Sequence, residues 1–299
     1  MEDLMFSDTH FHFLNMTGGD AEKGADFFRE AASYNPFFMM DIGTKCDDLL
    51  PRFSSVEKSL SLLGDAELES DVKSFMFFSA GIWPDEDEIR DRKKCVEVLE
   101  KQIEDFKNLA AEKSSGKFHG LAAIGECGLD HHWNSSERDG GFDSEMLEAE
   151  RELFIMQMGL AEKLNLPVIV HSRDAFDGTV SCMDEAGFSN GVVHCFSYGK
   201  DEAKAFLDRG WYIALGGAVT YTKKRNMDAM RDLIRFIPED RLLLETDAPY
   251  LAPVPMRGKP NTPLYIRHTY EFISEIRGVS VEDLCRTVDE NCARLFKAH

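Results

Sequence analysis

Short apolar runs alternate along the chain with longer segments in which apolar positions recur at helical spacing. The runs are Leu4–His12, Phe37–Gly43, Ser74–Trp83, Leu121–Glu126, Pro167–His171, Gly191–Phe196, Trp211–Gly216 and Arg241–Asp247. Between them, Glu86–Glu112, Ser144–Asn165, Asp201–Arg209 and Asn226–Phe236 read as helices. Strand–helix alternation predicts a parallel sheet covered by helices. Eight such units in 299 residues predict an α/β fold of the (β/α)8 TIM-barrel type rather than an open sheet.

Local signals agree. Asp143 or Ser144 can cap the helix that follows, whose Leu147, Phe154, Met158 and Ala161 would face the barrel. Pro167 ends that helix and leads into Val168-Ile-Val-His171, apolar enough to be buried on both faces. No repeat, low-complexity tract or Pro/Gly-rich linker divides the chain, so residues 1–299 read as one barrel domain. Segments 13–36, 44–73 and 127–143 read as loop or helical elaborations, and Leu264–His299 as closing helices.

The runs turn polar where they end. Asp8-Thr-His10-Phe-His12 ends the first, and residues two apart on a strand share a side. Glu126 ends the fourth, His171 the fifth, His194 the sixth and Asp247 the eighth. Barrels carry their catalytic groups at these ends. A single histidine or acid there is ordinarily a core or capping residue. Four imidazoles and two carboxylates together would be a cluster of unpaired polar groups unless metal satisfies them. Six ligands exceed what one zinc ion takes. Two divalent ions about 3.5–4 Å apart, sharing one carboxylate, would use them all. Glu126 is placed to bridge, and Asp247 to bind one ion and orient or deprotonate water. Four imidazoles favour Zn²⁺ or Mn²⁺, whereas Mg²⁺ serves many nucleases. His119, His268 and His299 are left outside this set.

Charge and cysteine content narrow the context. With 54 acidic and 34 basic residues the net charge is −20, which opposes general DNA binding and anionic membranes. It does not oppose an enzyme whose bound metal supplies local positive charge. Seven scattered cysteines without a Cys-x-x-Cys pair fit neither a disulfide framework nor a zinc ribbon. Reduced thiols and the lack of a visible secretory signal predict a cytoplasmic protein, and no apolar stretch predicts a membrane span. Cys127 and Cys195, beside two proposed ligands, should point to the opposite face as packing residues.

The chain resembles the TatD family of metal-dependent deoxyribonucleases, within the amidohydrolase-like barrels. The resemblance is carried by Asp8-Thr-His-Phe-His12, Gly125-Glu-Cys-Gly-Leu-Asp130, Gln157 through Pro167-Val-Ile-Val-His-Ser-Arg-Asp-Ala175 and Val193-His-Cys-Phe-Ser197. It continues through Leu243-Leu-Glu-Thr-Asp-Ala-Pro-Tyr-Leu-Ala-Pro253, Arg257-Gly-Lys-Pro-Asn261 and Asn291 through Arg294-Leu-Phe296. It implies metal-dependent phosphodiester hydrolysis, with all six metal positions filled. Departures are Trp83 for a frequent His, Cys127 for an aliphatic residue, His131-His132 for a Tyr pair, Thr262 for Glu, and longer segments before residue 75.

The expected function is cleavage of DNA from ends or single strands. The competing readings are a small-molecule amidohydrolase or esterase and a deacylase of mischarged transfer RNA. Amidohydrolase barrels often place a carboxylated lysine where Glu126 stands, which favours the nuclease. Arg173, or else a helix-start salt bridge, and Arg257 with Lys259 are the candidate phosphate contacts. Thr222-Lys-Lys-Arg225 reads more simply as a solvated run. Trp133 and Tyr250 could stack on a base, although aromatics more often fill cores.

Overall fold

Cβ atoms and carbonyls twist these apolar runs into one parallel sheet in strict sequence order. Its strands are β1 (Asp8–Phe11), β2 (Met39–Asp41), β3 (Met76–Ala80), β4 (Leu121–Asp130), β5 (Val168–Arg173), β6 (Gly191–Val193), β7 (Tyr212–Leu215) and β8 (Leu242–Leu244). Each lies inside or across its predicted run. The computed structural model describes residues 5–113, 120–136 and 141–298, the side chains of 110–113 aside. Leu4, His119 and His299 lie outside the described residues.

The barrel closes between β1 and β8, just beyond the β8 ladder. Asp247 N donates to His10 O at 2.8 Å, and His12 N to Ala248 O at 2.8 Å. Asp8 reinforces this seam. Its Oδ1 accepts from Thr246 N at 3.0 Å and its Oδ2 from Thr246 Oγ1 at 2.6 Å. Burial pushes Asp8 up to about 7, against the hydrogen bonds from Thr246 and His10.

Helices cover the sheet between the strands. α1 (Phe13–Thr17) and α2 (Ala21–Ala32) follow β1, and α3 (Leu49–Ser61) and α4 (Ala66–Phe75) follow β2. The segments read as elaborations before residue 75 are therefore helical. α5 (Glu86–Arg90) and α6 (Arg92–Lys113) follow β3. The single helix predicted over 86–112 is broken at Asp91, whose φ of −98° and ψ of 22° leave the helical region. Asp91 N donates to Asp87 O while its own carbonyl accepts from Cys95 N, so it ends one helix and begins the next. α7 (Ser144–Leu164) starts where Asp143 accepts from Met146 N, and Phe154, Met158 and Ala161 are buried as expected. α8 (Phe176–Ala186), α9 (Lys200–Asp208) and α10 (Met227–Phe236) follow β5, β6 and β7. α11 (Ile266–Arg277) and α12 (Val281–Phe296) close the chain, with Phe296 stacked on Phe38 at 4.9 Å.

β4 is longer than its apolar run implies. Residues 127–130, expected to begin a loop or helical elaboration, instead continue the strand and pair with β5 as Gly128↔His171 and Asp130↔Arg173. Glycine permits this. Gly128 has φ +151°, and a Cβ there would lie 1.9 Å from His171 O. A register shift between Ile124 and Cys127 takes Glu126 out of the ladder, and its N–H donates instead to Gly43 O at 2.7 Å. Such shifts re-aim a side chain, here toward the barrel mouth. Gly128→Ala should force β4 away from β5 and cost about 2–3 kcal/mol. Urea denaturation reads this as a lowered midpoint; an unchanged midpoint would show that the two strands yield freely.

Candidate metal centre

His10 and His12 share a side of β1, as their spacing requires, and both are buried. Glu126, His171, His194 and Asp247 meet them from four other strand ends. The Glu126 carboxylate divides its two oxygens between two pairs of imidazoles. Oε1 lies 2.8 Å from His171 Nδ1 and 2.9 Å from His194 Nε2. Oε2 lies 3.4 Å from His10 Nε2 and 3.9 Å from His12 Nε2. Asp247 Oδ1 is 3.4 Å from His12 Nε2 and 3.7 Å from His10 Nε2. Two sets of three, His10–Glu126–His194 and His10–His12–Asp247, bring their ligand atoms close enough to hold an ion.

The donors fit a metal. Both ring nitrogens of His10 are buried and neither has a hydrogen-bond partner. Leaving such groups unpaired is costly, and a cation beside Nε2 removes part of that cost. Ligand atoms about 2.1 Å from one tetrahedral ion stand about 3.4 Å apart. That is the separation of His10 from Glu126 and of His12 from Asp247.

Burial would push Glu126 up, but His194, His10 and His171 outweigh it and hold the carboxyl well below its usual range. His194 is driven the other way. Burial pulls it down, yet Glu126 and Glu245 raise it well above an ordinary imidazole. His12 and His171 are likewise raised by their carboxylates against burial, whereas burial and His194 lower His10. Glu126 is thus held ionised among rings drawn toward positive charge, a setting that suits a bound cation.

An outer layer orients the rings. Asp130 Oδ2 lies 2.9 Å from His171 Nε2, while its Oδ1 accepts from His132 N and Trp133 N, both at 2.9 Å. Glu245 Oε1 is 3.5 Å from His194 Nδ1 and accepts from Cys195 N at 2.5 Å. With the far nitrogen protonated toward a carboxylate, the near one presents a lone pair. Sequence reasoning assigned neither Asp130 nor Glu245 a role, although both sit within quoted motifs. Asn261 Nδ2 donates to Thr246 O at 2.8 Å and Tyr250 O at 2.6 Å, pinning the turn that carries Asp247. Gln157 grips Ile82 N and O, at 2.7 and 3.0 Å, and so holds the Trp83 loop.

The cluster floors a cavity of about 790 Å³. Arg173 is exposed on its rim, 5.9 Å from the Trp133 ring centre. Trp83 stands with its ring 5.7 Å from that of His171. Lys45, which the sequence did not mark, also lines the cavity and pairs with Asp85 at 3.2 Å. Arg257 and Lys259 are exposed but do not line it, and Arg257 lies 4.3 Å from the Tyr221 ring centre. Lys223, Lys224 and Arg225 are exposed and outside it too. Trp133 and Tyr250 are both about half exposed at the mouth. Cys127 is buried as expected, but Cys195 lines the cavity. Its φ of 45° breaks strand alternation, which is why the expectation that it faces away fails. His268 sits apart, 3.5 Å from Glu271.

Residues 7–297 match the family described as TatD related DNase. The chain is 41% identical over 196 residues to the metal-dependent hydrolase YcfH of Escherichia coli K12, covering 65% of this chain and 67% of that one. It is 36% identical over 182 residues to the 3'-5' ssDNA/RNA exonuclease TatD of Pantoea ananatis, covering 59% and 66%. Among solved structures, the TatD homologue YjjV of Escherichia coli K12 superimposes with a TM-score of 0.70 at 24% identity, covering 99% and 100%.

Asp130→Ala should free the His171 ring and weaken divalent-metal affinity about 10–100-fold. Competition with a chromophoric chelator measures this directly. Native affinity in the variant would reduce Asp130 to a loop anchor.

Proposed function

Because the chain belongs to the TatD-related DNase family and is a metal-dependent hydrolase acting on ester bonds, we propose that it cleaves DNA phosphodiesters at single-stranded or frayed ends with two divalent ions bound. The observation that carries the proposal is the division of Glu126, one oxygen toward His171 and His194 and the other toward His10 and His12. That division supports a carboxylate shared between two ions. His10, His12 and Asp247 would hold one ion with Glu126, and His171 and His194 the other. Such a pair lowers the pKa of water and neutralises charge on the scissile oxygens.

The chain's own groups do the rest. Asp247 is the more open of the two carboxylates, its side chain 15% exposed against 6% for Glu126. It is the residue to orient the attacking water and take its proton. Arg173, exposed at the rim, would bind a phosphate, and Arg257 and Lys259, outside the cavity after β8, would bind phosphates farther along the strand. The likeness to the Pantoea 3'-5' ssDNA/RNA exonuclease supports the same substrate class. The net charge of −20 favours a small uncharged ester or amide instead, and acyl-RNA is the third class to be separated by assay.

Elemental analysis after metal loading should find about two ions per chain in wild type and fewer in Glu126→Ala. Unchanged stoichiometry and activity would remove the bridging role. Asp247→Asn should keep the fold by circular dichroism and lose about 10²–10⁴-fold in kcat. Near-native turnover would assign proton transfer to another group. On a labelled single-stranded oligonucleotide, Arg257→Ala with Lys259→Ala should raise KM and flatten the dependence on salt. If wild type cleaves no oligonucleotide with Mg²⁺, Mn²⁺ or Zn²⁺, a small-molecule or acyl substrate replaces DNA.

A further inference from the structure

Loops circle a barrel mouth in strand order, so those after β6, β7 and β8 are neighbours and those after β2, β3 and β4 stand opposite. Apart from Trp83 and Trp133, the apolar lining of the cavity lies on the first of these arcs. From the β6–β8 side it is walled by Phe196, Ala218, Val219, Met230 and Leu251, with Ser197 and Tyr250 beside them and His194 and Asp247 of the metal centre at their foot. The cationic side chains lining it among the described residues, Lys45 and Arg173, come from the turns after β2 and β5.

The apolar wall is preformed. A Cβ on Gly217 would lie 2.4 Å from Leu251 O, so the turns after β7 and β8 are in backbone contact. Val254 N donates to Thr220 Oγ1 at 2.9 Å and fastens them again. Val219 and Phe196 are 3% and 5% exposed, held from behind by the barrel.

We infer that this apolar lobe is the seat of one unpaired nucleobase, the base of the terminal nucleotide whose phosphodiester lies at the metal centre. The inference rests on the proposed nuclease reading and adds where the substrate sits. A nucleobase is flat, uncharged and covalently tied to a phosphate, which is what an apolar wall beside a phosphate-cleaving centre can take. The cavity, about 790 Å³, falls within the range of small-ligand sites. Lys45 on the opposite rim and Arg173 on the adjoining end of β5 then receive the anionic chain. The five apolar side chains carry no hydrogen-bond donor, so their contact with a base depends on its faces and not on which base it is. A paired base must be extracted from its stack at a cost of a few kcal/mol, so the lobe selects unpaired ends.

The test is a double-mutant cycle between protein and substrate. Two labelled single-stranded oligonucleotides are compared, one with a normal terminal nucleotide and one whose terminal nucleotide is an abasic tetrahydrofuran, tried at each end. Both kcat/KM and the Kd from fluorescence anisotropy are read for wild type, Ala218→Phe and Leu251→Ala. Removing the base at the cleaved end should cost wild type roughly tenfold to a hundredfold. Ala218→Phe, which fills the lobe, should lose a similar factor on the normal substrate and then show no further cost of base removal. Leu251→Ala should show a reduced cost. If base removal costs wild type nothing, or costs each variant as much as wild type, the lobe does not hold the base. If wild type neither binds nor cleaves either oligonucleotide while metal stoichiometry is intact, the nuclease reading itself fails, and this inference with it.

Discussion

A carboxylate surrounded by four imidazoles at the mouth of an apolar barrel is the constraint on which the rest depends. Glu126 is 5% exposed and ionised against its burial, and only the surrounding rings make that tolerable. The rings in turn need counter-charges of their own, supplied by Asp247, Asp130 and Glu245. Asp130 and Glu245 are fixed by backbone amides of their own turn or a neighbouring one. The electrostatics of the centre and the geometry of the strand ends are therefore one problem, solved once.

Ordinary fold features serve that problem. The register shift in β4 turns Glu126 inward, and glycine at 128 lets the strand run on to Asp130. Arg52, 3% exposed, pairs with Asp41 Oδ2 at 2.7 Å and donates to Ser79 O at 2.6 Å, tying together the ends of β2 and β3 beneath the mouth. Asp41 Oδ1 meanwhile accepts from Phe13 N at 2.8 Å, directly after His12. Removing either partner of this buried pair strands a charge, the costly way to lose an ion pair.

The strands were legible because two-sided burial writes itself as an apolar run, and the six central residues because polarity returns where each run ends. The ends themselves were less legible. β6 and β8 stop before His194 and Asp247, which ride on turns with positive φ at Cys195 and Asp247, and such turns carry no hydrophobic period. Asp130 and Glu245 were passed over because an acid beside a histidine looks the same whether it caps, pairs or orients a ring. Lys45 was missed for a different reason. Its place at the cavity follows from the order of loops around the mouth, which becomes visible only once the sheet has closed.

That closure joins β1 to β8 and the turn that follows it. Thr9 Oγ1 bonds to Leu244 O across 235 residues, and Asp8 to Thr246 across 238. Contacts so distant in sequence come late in folding, since the chain between them must first be ordered. During synthesis from the N-terminus, His10 and His12 emerge more than two hundred residues before Asp247. A stalled or prematurely ended translation product carries histidines but no finished centre. Such a fragment has His12 and His194 without the carboxylates of Asp247 and Glu245 that stand beside them in the closed barrel.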